Sequence, residues 1–378
     1  MTDSKIDKRA TARSRTGTFE YVFPAIRGVQ AGREYYVTMC PLRLIPRLFM
    51  FDDEELPAEM RAQRTLNKGR VPDIARYMLD NPENYVFSAL TASVDADVRF
   101  DPVAGGSLSD RVGMLTIPMS AKFVINDGQH RRAAIQQALS ESPDLGDESI
   151  AIVMYLDLGL ARCQQMFADL NRYAVRPAKS IGVLYDHRDE MSALTRLVVM
   201  RSAFLRDVTE TETSNLAQRS RKLFTLSALY AANKALLEGQ EQETFERRVD
   251  LATQFWELVA DQFPEWRQAY DREITAGEVR QDFIHTHGIV LHALGKVGRT
   301  LLDRKKAASS WTPTLRKLRT LDWHRASGTW EGRAVIGGRV SKSSANLLLT
   351  TAAIRTALDL PLPPDEQRAE DAFQGGTK

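Results

Sequence analysis

The apolar period changes near Asp186, and that change constrains the fold more than any other feature of the chain. Before it, apolar residues come in strand-length runs at Phe19–Phe23, Glu34–Cys40, Val86–Ser93, Gly113–Ile117, Lys122–Asn126 and Ser149–Leu156. Helical spacing separates them, at Pro57–Leu66, Pro72–Leu79, Gln129–Leu139 and Leu160–Leu170. Beyond Asp186 the spacing is helical over Glu190–Leu205, Asn215–Leu237, Glu243–Phe263, Arg280–Asp303 and Ser343–Leu358, with one weak strand signal at Arg333–Ile336. A half-buried strand repeats every two residues and an amphipathic helix every 3.6, so the two halves bury differently shaped surfaces. The expected fold class is therefore α+β: a mixed α/β domain over residues 17–186, then a mostly α-helical domain over residues 187–360. A chain of 378 residues is long enough for both. Residues 1–16 read as a disordered basic N-terminus and residues 361–378 as a flexible tail. The loop Val98–Asp110, with Asp101-Pro102 and Gly105-Gly106, reads as a surface excursion.

Composition narrows the class further. A hydrophobic content of 43% and a charged content of 26% are ordinary for a globular protein, and a net charge of +2 decides nothing without its distribution. Two cysteines, Cys40 and Cys163, make neither a disulfide framework nor a zinc motif. No run approaches the ~20 apolar residues of a membrane helix. The start, with Lys5, Lys8, Arg9, Arg13 and Arg15, lacks the apolar core of a secretory signal, so a cytoplasmic location is expected.

The chemistry concentrates at Lys122–Leu139, KFVINDGQHRRAAIQQAL. Lys122–Ile125 reads as a buried strand, Gly128 as a sharp turn, and Ala133, Ala134, Ile135, Ala138 and Leu139 as the apolar positions of a helix. A strand, a tight turn and a helix start aim unpaired N–H groups and a positive dipole end at one point. Adding His130, Arg131 and Arg132 there makes the point more positive, which suits an anion and above all phosphate. Arg131 lies four residues before Ile135, on the inward face, where a charged guanidinium needs an acidic or phosphate partner. Arg132 falls above Gln136 on a more polar face. Asp127 is also placed to cap the helix, and a cap alone would explain that one residue.

These residues carry a resemblance. The DGQHR pentapeptide, with NKGRVPDIARYML (Asn67–Leu79), MFADLNRYAVRP (Met166–Pro177) and RSRKLFTLSAL (Arg219–Leu229), resembles in that order the DGQHR-domain, or DndB, family of bacterial DNA phosphorothioation systems. Such systems replace a non-bridging phosphate oxygen of DNA with sulfur. More distantly, the first domain is similar to the ParB/sulfiredoxin superfamily, whose Gly-x-x-Arg turn binds nucleotide phosphates. That likeness implies a phosphate-binding turn at Gly128, His130 and Arg131, and a second motif near Asp169, Asn171 and Arg172 that helps hold a triphosphate and its Mg²⁺. Gln129 stands near where sulfiredoxin has its reactive cysteine, so thiol chemistry at this turn is not expected.

The second motif has two readings on its own residues. Asp169 and Asn171 offer the hard oxygens Mg²⁺ prefers. Equally, Asn171 could be a helix C-cap and Asp169–Arg172 a surface ion pair worth little. Combined with the turn, the expected site has Asp127, Gln129 and His130 orienting a water, Gly128, Arg70, Arg131, Arg132 and Arg172 holding nucleotide, and Asp169 and Asn171 holding metal, with ATP and Mg²⁺ as cofactors. Three other features are set aside. Gly337–Ser343 ends like a P-loop but has serine in place of the last glycine, which leaves Lys342 and Ser343 to cap the last helix or touch a phosphate. His285, His287 and His292 do not share one helical face, and no serine or cysteine has a triad context.

The helical half is unevenly charged. Between Lys296 and Arg333 lie ten basic residues, including Arg304, Lys305, Lys306, Arg316, Lys317 and Arg319, against Asp303, Asp322 and Glu331. Arg219, Arg221 and Lys222 form a second cluster, after a polar run in which Ser214 or Asn215 is placed to start a helix. Basic clusters are the electrostatic footprint of a DNA-phosphate contact, although most charge runs are solvated helix faces. Trp311, Trp323 and Trp330 are read as core. The resemblance implies a double-stranded-DNA-binding repressor of the phosphorothioation operon, its DNA affinity lowered by ATP binding and hydrolysis, and a homodimer would suit a repeated operator. Two other readings remain: an NTPase component of DNA modification or restriction, and an interaction scaffold.

Overall fold

The computed structural model describes residues 19–49, 68–103, 110–156, 165–166, 169–170, 177–303 and 310–376. The chain separates into two units, Met1–Val175 and Arg176–Lys378. The division precedes Asp186, so the segment just before that residue belongs with the helical unit.

The first unit is built on a seven-stranded mixed sheet: β1 (Glu20–Gln30), β2 (Arg33–Pro41), β3 (Leu90–Asp95), β4 (Arg99–Pro102), β5 (Val112–Pro118), β6 (Lys122–Asp127) and β7 (Ser149–Leu156). Their spatial order is β4-β5-β1-β2-β7-β3-β6. Only the β3–β7 pair is parallel. Ala31 and Gly32 both have positive φ, the backbone a two-residue hairpin requires between β1 and β2. Helices α1 (Ile45–Leu48), α2 (Val71–Asp80) and α3 (Gln129–Glu141) accompany the sheet. Ala75 and Met78 of α2 and Ala134, Ile135 and Ala138 of α3 are buried in one core with Leu90, Ala92, Val94, Ile152 and Met154. Each large side chain buried there contributes roughly 1.5–3 kcal/mol.

Two readings of this half change. The expected strand at Val86–Ser93 begins only at Leu90, and the excursion at Val98–Asp110 contains the edge strand β4. Short strands of mixed polarity gain order from the neighbour they pair with, which local pattern does not reveal. The expected helix at Pro57–Leu66, and most of Leu160–Leu170, lie outside the described residues.

The second unit is helical: α4 (Lys179–Tyr185), α5 (Glu190–Arg201), α6 (Ala203–Val208), α7 (Leu226–Leu236), α8 (Phe245–Ala260), α9 (Pro264–Tyr270), α10 (Ala276–Asp282), α11 (Gly288–Asp303), α12 (Thr312–Leu315), α13 (Ser344–Ala357) and α14 (Pro364–Gly376). Its centre is the α7–α11 pair. Gly295 of α11 lies against the backbone of Ala232, where any Cβ would collide with the Ala232 carbonyl, so the helices approach closely. Asn233, fully buried, accepts from Trp256 Nε1 at 2.7 Å and donates to Thr195 Oγ1 at 3.2 Å. Trp311, Trp323 and Trp330 are buried in the core.

The long helical runs are broken by side-chain caps. Ser202 ends α5 and accepts from Leu205 N to start α6. Within Arg280–Asp303 the chain bridges Phe283 to His324 between two helices. Ser214 and Asn215 start no helix; Ser214 Oγ accepts from Ser180 N at 3.0 Å, and α7 begins after Thr225. Gly337 and Gly338, both at positive φ, are the turn between the short strands Val335–Ile336 and Arg339–Val340, which is why the sequence there imitates a P-loop. Ser343 caps α13 by accepting from Asn346 N. The segment read as a flexible tail is instead largely α14, anchored by Glu366, which pairs with Arg355 at 2.8 Å while both are buried. Glu370 also pairs with Arg333.

Candidate functional site

β6 ends at Asp127 and α3 begins after Gly128, whose φ of +105° is closed to most other residues. A methyl there would also strike Leu90 Cδ2. Glycine is thus the residue that lets the strand turn directly into the helix. Asp127 does not cap that helix: no side-chain cap bond exists, and its carboxylate instead accepts from Arg131 Nη2 at 2.7 Å. Arg131 Nη1 donates to Ser88 O at 2.8 Å and to the Ser88 hydroxyl. The guanidinium is held by both the turn and the segment leading into β3.

Arg131 lies inward as its spacing implies, its side chain 15% exposed and paired with the acidic partner Asp127, and Arg132 differs from its sequence reading. Arg132, read as lying on a more polar face, is 9% exposed, with Nη2 reaching Pro46 O at 3.4 Å. Burial pulls its pKa down. Arg132 precedes Ile135 by three residues, a spacing that also puts it on the buried face of Ala134, Ile135 and Ala138. Gln129 is buried as well. Neither forms part of the cavity described next.

Arg70 and Arg131, far apart in sequence, wall one cavity of about 340 Å³ with Asp73, Ile74, Tyr77 and Phe87. That volume lies at the lower end of ligand-pocket sizes. Arg70 is exposed at the start of α2. The Tyr77 and Phe87 rings lie 6.1 Å apart. Burial and the charge of Arg70 hold the His130 imidazole below its ordinary pKa, against the pull of Asp127. A neutral imidazole and two guanidinium groups therefore surround the turn. Sequence reasoning found Arg70 and Arg131 and missed Asp73, Tyr77, Phe87 and Ser88. The spacing Arg70–Asp73–Ile74–Tyr77 is that of one helix face and was readable; Phe87 and Ser88 arrive through the sheet and were not.

The cavity wall carries two guanidinium groups and the Asp73 carboxylate, and the metal half of the expected site is only partly described. Asp169 is exposed and accepts from Gln165 Nε2 at 2.8 Å. Asn171 and Arg172 lie outside the described residues, as do Arg304, Lys305 and Lys306. Among the described residues no group of three or more His, Cys, Asp or Glu could hold a metal. His285 follows suit: it is fully buried, accepts from Trp266 Nε1 at 2.8 Å and lies 3.4 Å from Glu265.

The basic residues of the second unit divide in two. Acids distant in sequence neutralise many of them: Lys317 pairs with Asp359, Arg299 with Glu238 at 2.5 Å, and Lys296 approaches Glu366 at 3.8 Å. Arg319 donates to Gln262 Oε1 at 3.1 Å and to Asp261 O at 2.5 Å. Three nearby acids therefore undercount the opposing charge. Arg316 is exposed. Arg219, Arg221 and Lys222 share the wall of a 930 Å³ cleft with Arg272 and with Asp207, Glu273 and Glu278. Arg219 and Arg221 are exposed, whereas Lys222 Nζ donates to Asp207 O at 2.5 Å. Their loop is fixed by Arg280, which donates to the carbonyls of Ala217 at 2.7 Å, Ser220 at 3.0 Å, Gln218 at 3.1 Å and Lys222.

No helix among the described residues is long and apolar enough to cross a membrane. No curated protein and no solved structure matches the chain. A family model does match, over residues 23–361, and so spans the strand–turn–helix, the Arg70 helix and the Arg219–Lys222 loop together. The chain belongs to the DndB family, DNA-sulfur modification-associated proteins.

Proposed function

We propose that this chain is a DNA-binding regulator of DNA-sulfur modification whose grip on DNA is set by a nucleotide, ATP with Mg²⁺, at the Asp127–Arg132 turn. The observation that carries the reading is the convergence of Arg70 and Arg131 on one cavity beside the turn. Arg131 is pre-positioned by Asp127 and Ser88, so it need not be ordered when an anion arrives. The exposed Arg219 and Arg221 supply cations for the DNA backbone. Coupling requires that ATP bind the free and DNA-bound forms with different affinity.

The test measures binding of the protein to its own upstream DNA and to random DNA, with and without Mg-ATP. The regulator prefers the upstream DNA and releases it with Mg-ATP, and Arg70→Ala keeps the DNA affinity while losing the response. Equal binding to both DNAs with no ATP effect defeats the reading. A second reading, an NTPase serving modification or restriction, draws on His130, whose neutral ring suits proton acceptance from an attacking water. It requires multiple turnovers that His130→Ala abolishes in a folded protein.

A further inference from the structure

The helical unit holds a cavity of about 820 Å³ that the nucleotide turn does not use. Lys179, Arg280, Arg325 and Lys342 contribute to its wall, together with His287 and His292, and among the described residues no Asp or Glu does. In a unit where acids pair with so many basic side chains, a cavity lined by four cations and no carboxylate is an electrostatic exception.

Its floor is the start of α11. Gly288 and Ile289 line the cavity at the first turn of this 16-residue helix, where backbone N–H groups precede any acceptor of the helix's own. Thr286, immediately before, is 5% exposed and its Oγ1 has no hydrogen-bond partner. Arg325 likewise leaves Nε buried without a partner, while its Nη2 donates to Arg280 O at 2.8 Å and to His287 Nε2 at 2.9 Å. A buried hydroxyl left unmatched costs free energy unless something completes it. Ser214, Thr225 and Ser227 add hydroxyls to the same wall.

We infer that this cavity binds a compact phosphorylated small molecule, its phosphoryl oxygens received by the α11 start and by Thr286, Arg325, Lys179 and Lys342. A helix start, a hydroxyl and converging cations are the chemistry of phosphate recognition. The volume lies within the range of small-molecule pockets. A recess suits a compact ligand better than the continuous backbone of a duplex. The site is separate from the turn in the first unit, and it holds or fails independently of the regulator reading.

The probe is inorganic pyrophosphate, titrated calorimetrically into the full-length protein, with AMP, ATP and a short duplex DNA as further arms. Lys179 and Lys342 are exposed, so Lys179→Ala/Lys342→Ala should leave the unfolding midpoint unchanged. The expected result is pyrophosphate binding that this double variant weakens roughly tenfold or more, and that Thr286→Val also weakens. Arg70→Ala, which alters only the other cavity, should leave this component intact. If the wild type binds no pyrophosphate, or the double variant binds it as the wild type does, the inference is wrong. If the double variant loses duplex DNA binding while pyrophosphate neither binds nor competes, the cavity serves the DNA backbone instead and the inference also falls.

Discussion

Gly128 shows how much a single backbone angle decides. Its φ of +105° and the contact waiting at Leu90 Cδ2 act together, because an added methyl meets both torsional strain and a filled core. Gly128→Ala should therefore cost about 2–4 kcal/mol, combining the left-handed penalty with overpacking. Urea unfolding checks it; a change under about 0.5 kcal/mol, the range of neutral surface substitutions, would mean the turn is not held as described. His287 makes a different residue-scale prediction. Burial first, then the charge of Arg325, pushes its pKa down to about 4. Its folded pKa lies below the unfolded value of about 6.5, so the unfolded chain binds the proton more readily. The stability His287 supports is complete above about pH 6.5 and is lost as pH falls toward 4. Allowing for its partial exposure, the loss is on the order of 2 kcal/mol. His287→Gln should flatten unfolding free energy over that window relative to wild type, and an identical pH profile would count against the buried neutral ring.

At the scale of elements, legibility followed the range of the cause. The strand–turn–helix of β6, Gly128 and α3 was readable because each part is specified within a few residues. The burial of Arg132 was not, because the carbonyl it reaches, that of Pro46, is distant in sequence. The last helix is the clearest case. Its sequence is polar, with Pro-Leu-Pro-Pro before it, and reads as a tail; α14 forms because Glu366 and Glu370 meet Arg355 and Arg333 from elsewhere in the fold. Such order comes from tertiary partners and leaves little local trace. The Arg355–Glu366 pair is buried on both sides, at 6% and 1% side-chain exposure. Ending the chain before Pro364 would remove the carboxylate partner of Arg355, leaving it Thr300 Oγ1 and the Lys296 carbonyl, and would uncover the core beneath the helix. That truncation should cost about 3–5 kcal/mol, the penalty of breaking a buried ion pair, read as a lower denaturant midpoint. A truncated chain as stable as the full one would show that α14 contributes nothing to the core.

Over the whole molecule, charge is the property that the sequence conveyed least well. Counting neighbours along the chain left Lys317 and Arg319 available for DNA, but folding brings Asp359 to one and Gln262 with the Asp261 carbonyl to the other. Arg219 and Arg221 remain exposed on a loop whose carbonyls are gathered by Arg280, so the loop is fixed while its cations stay outward. Duplex binding should separate the two groups. Each phosphate neutralised by a cation adds about 0.9 to the slope of log affinity against log salt. Arg219→Ala/Arg221→Ala should therefore lower that slope by roughly 2 and weaken binding to every DNA sequence alike. Lys317→Ala should leave the slope unchanged, because its charge is already matched by Asp359 and releases no counterion from DNA. Fluorescence anisotropy across a salt series measures all three proteins on one duplex. A slope that falls with Lys317→Ala and holds with the double variant would move the DNA surface away from the Arg219–Lys222 loop, to the face that the sequence alone suggested.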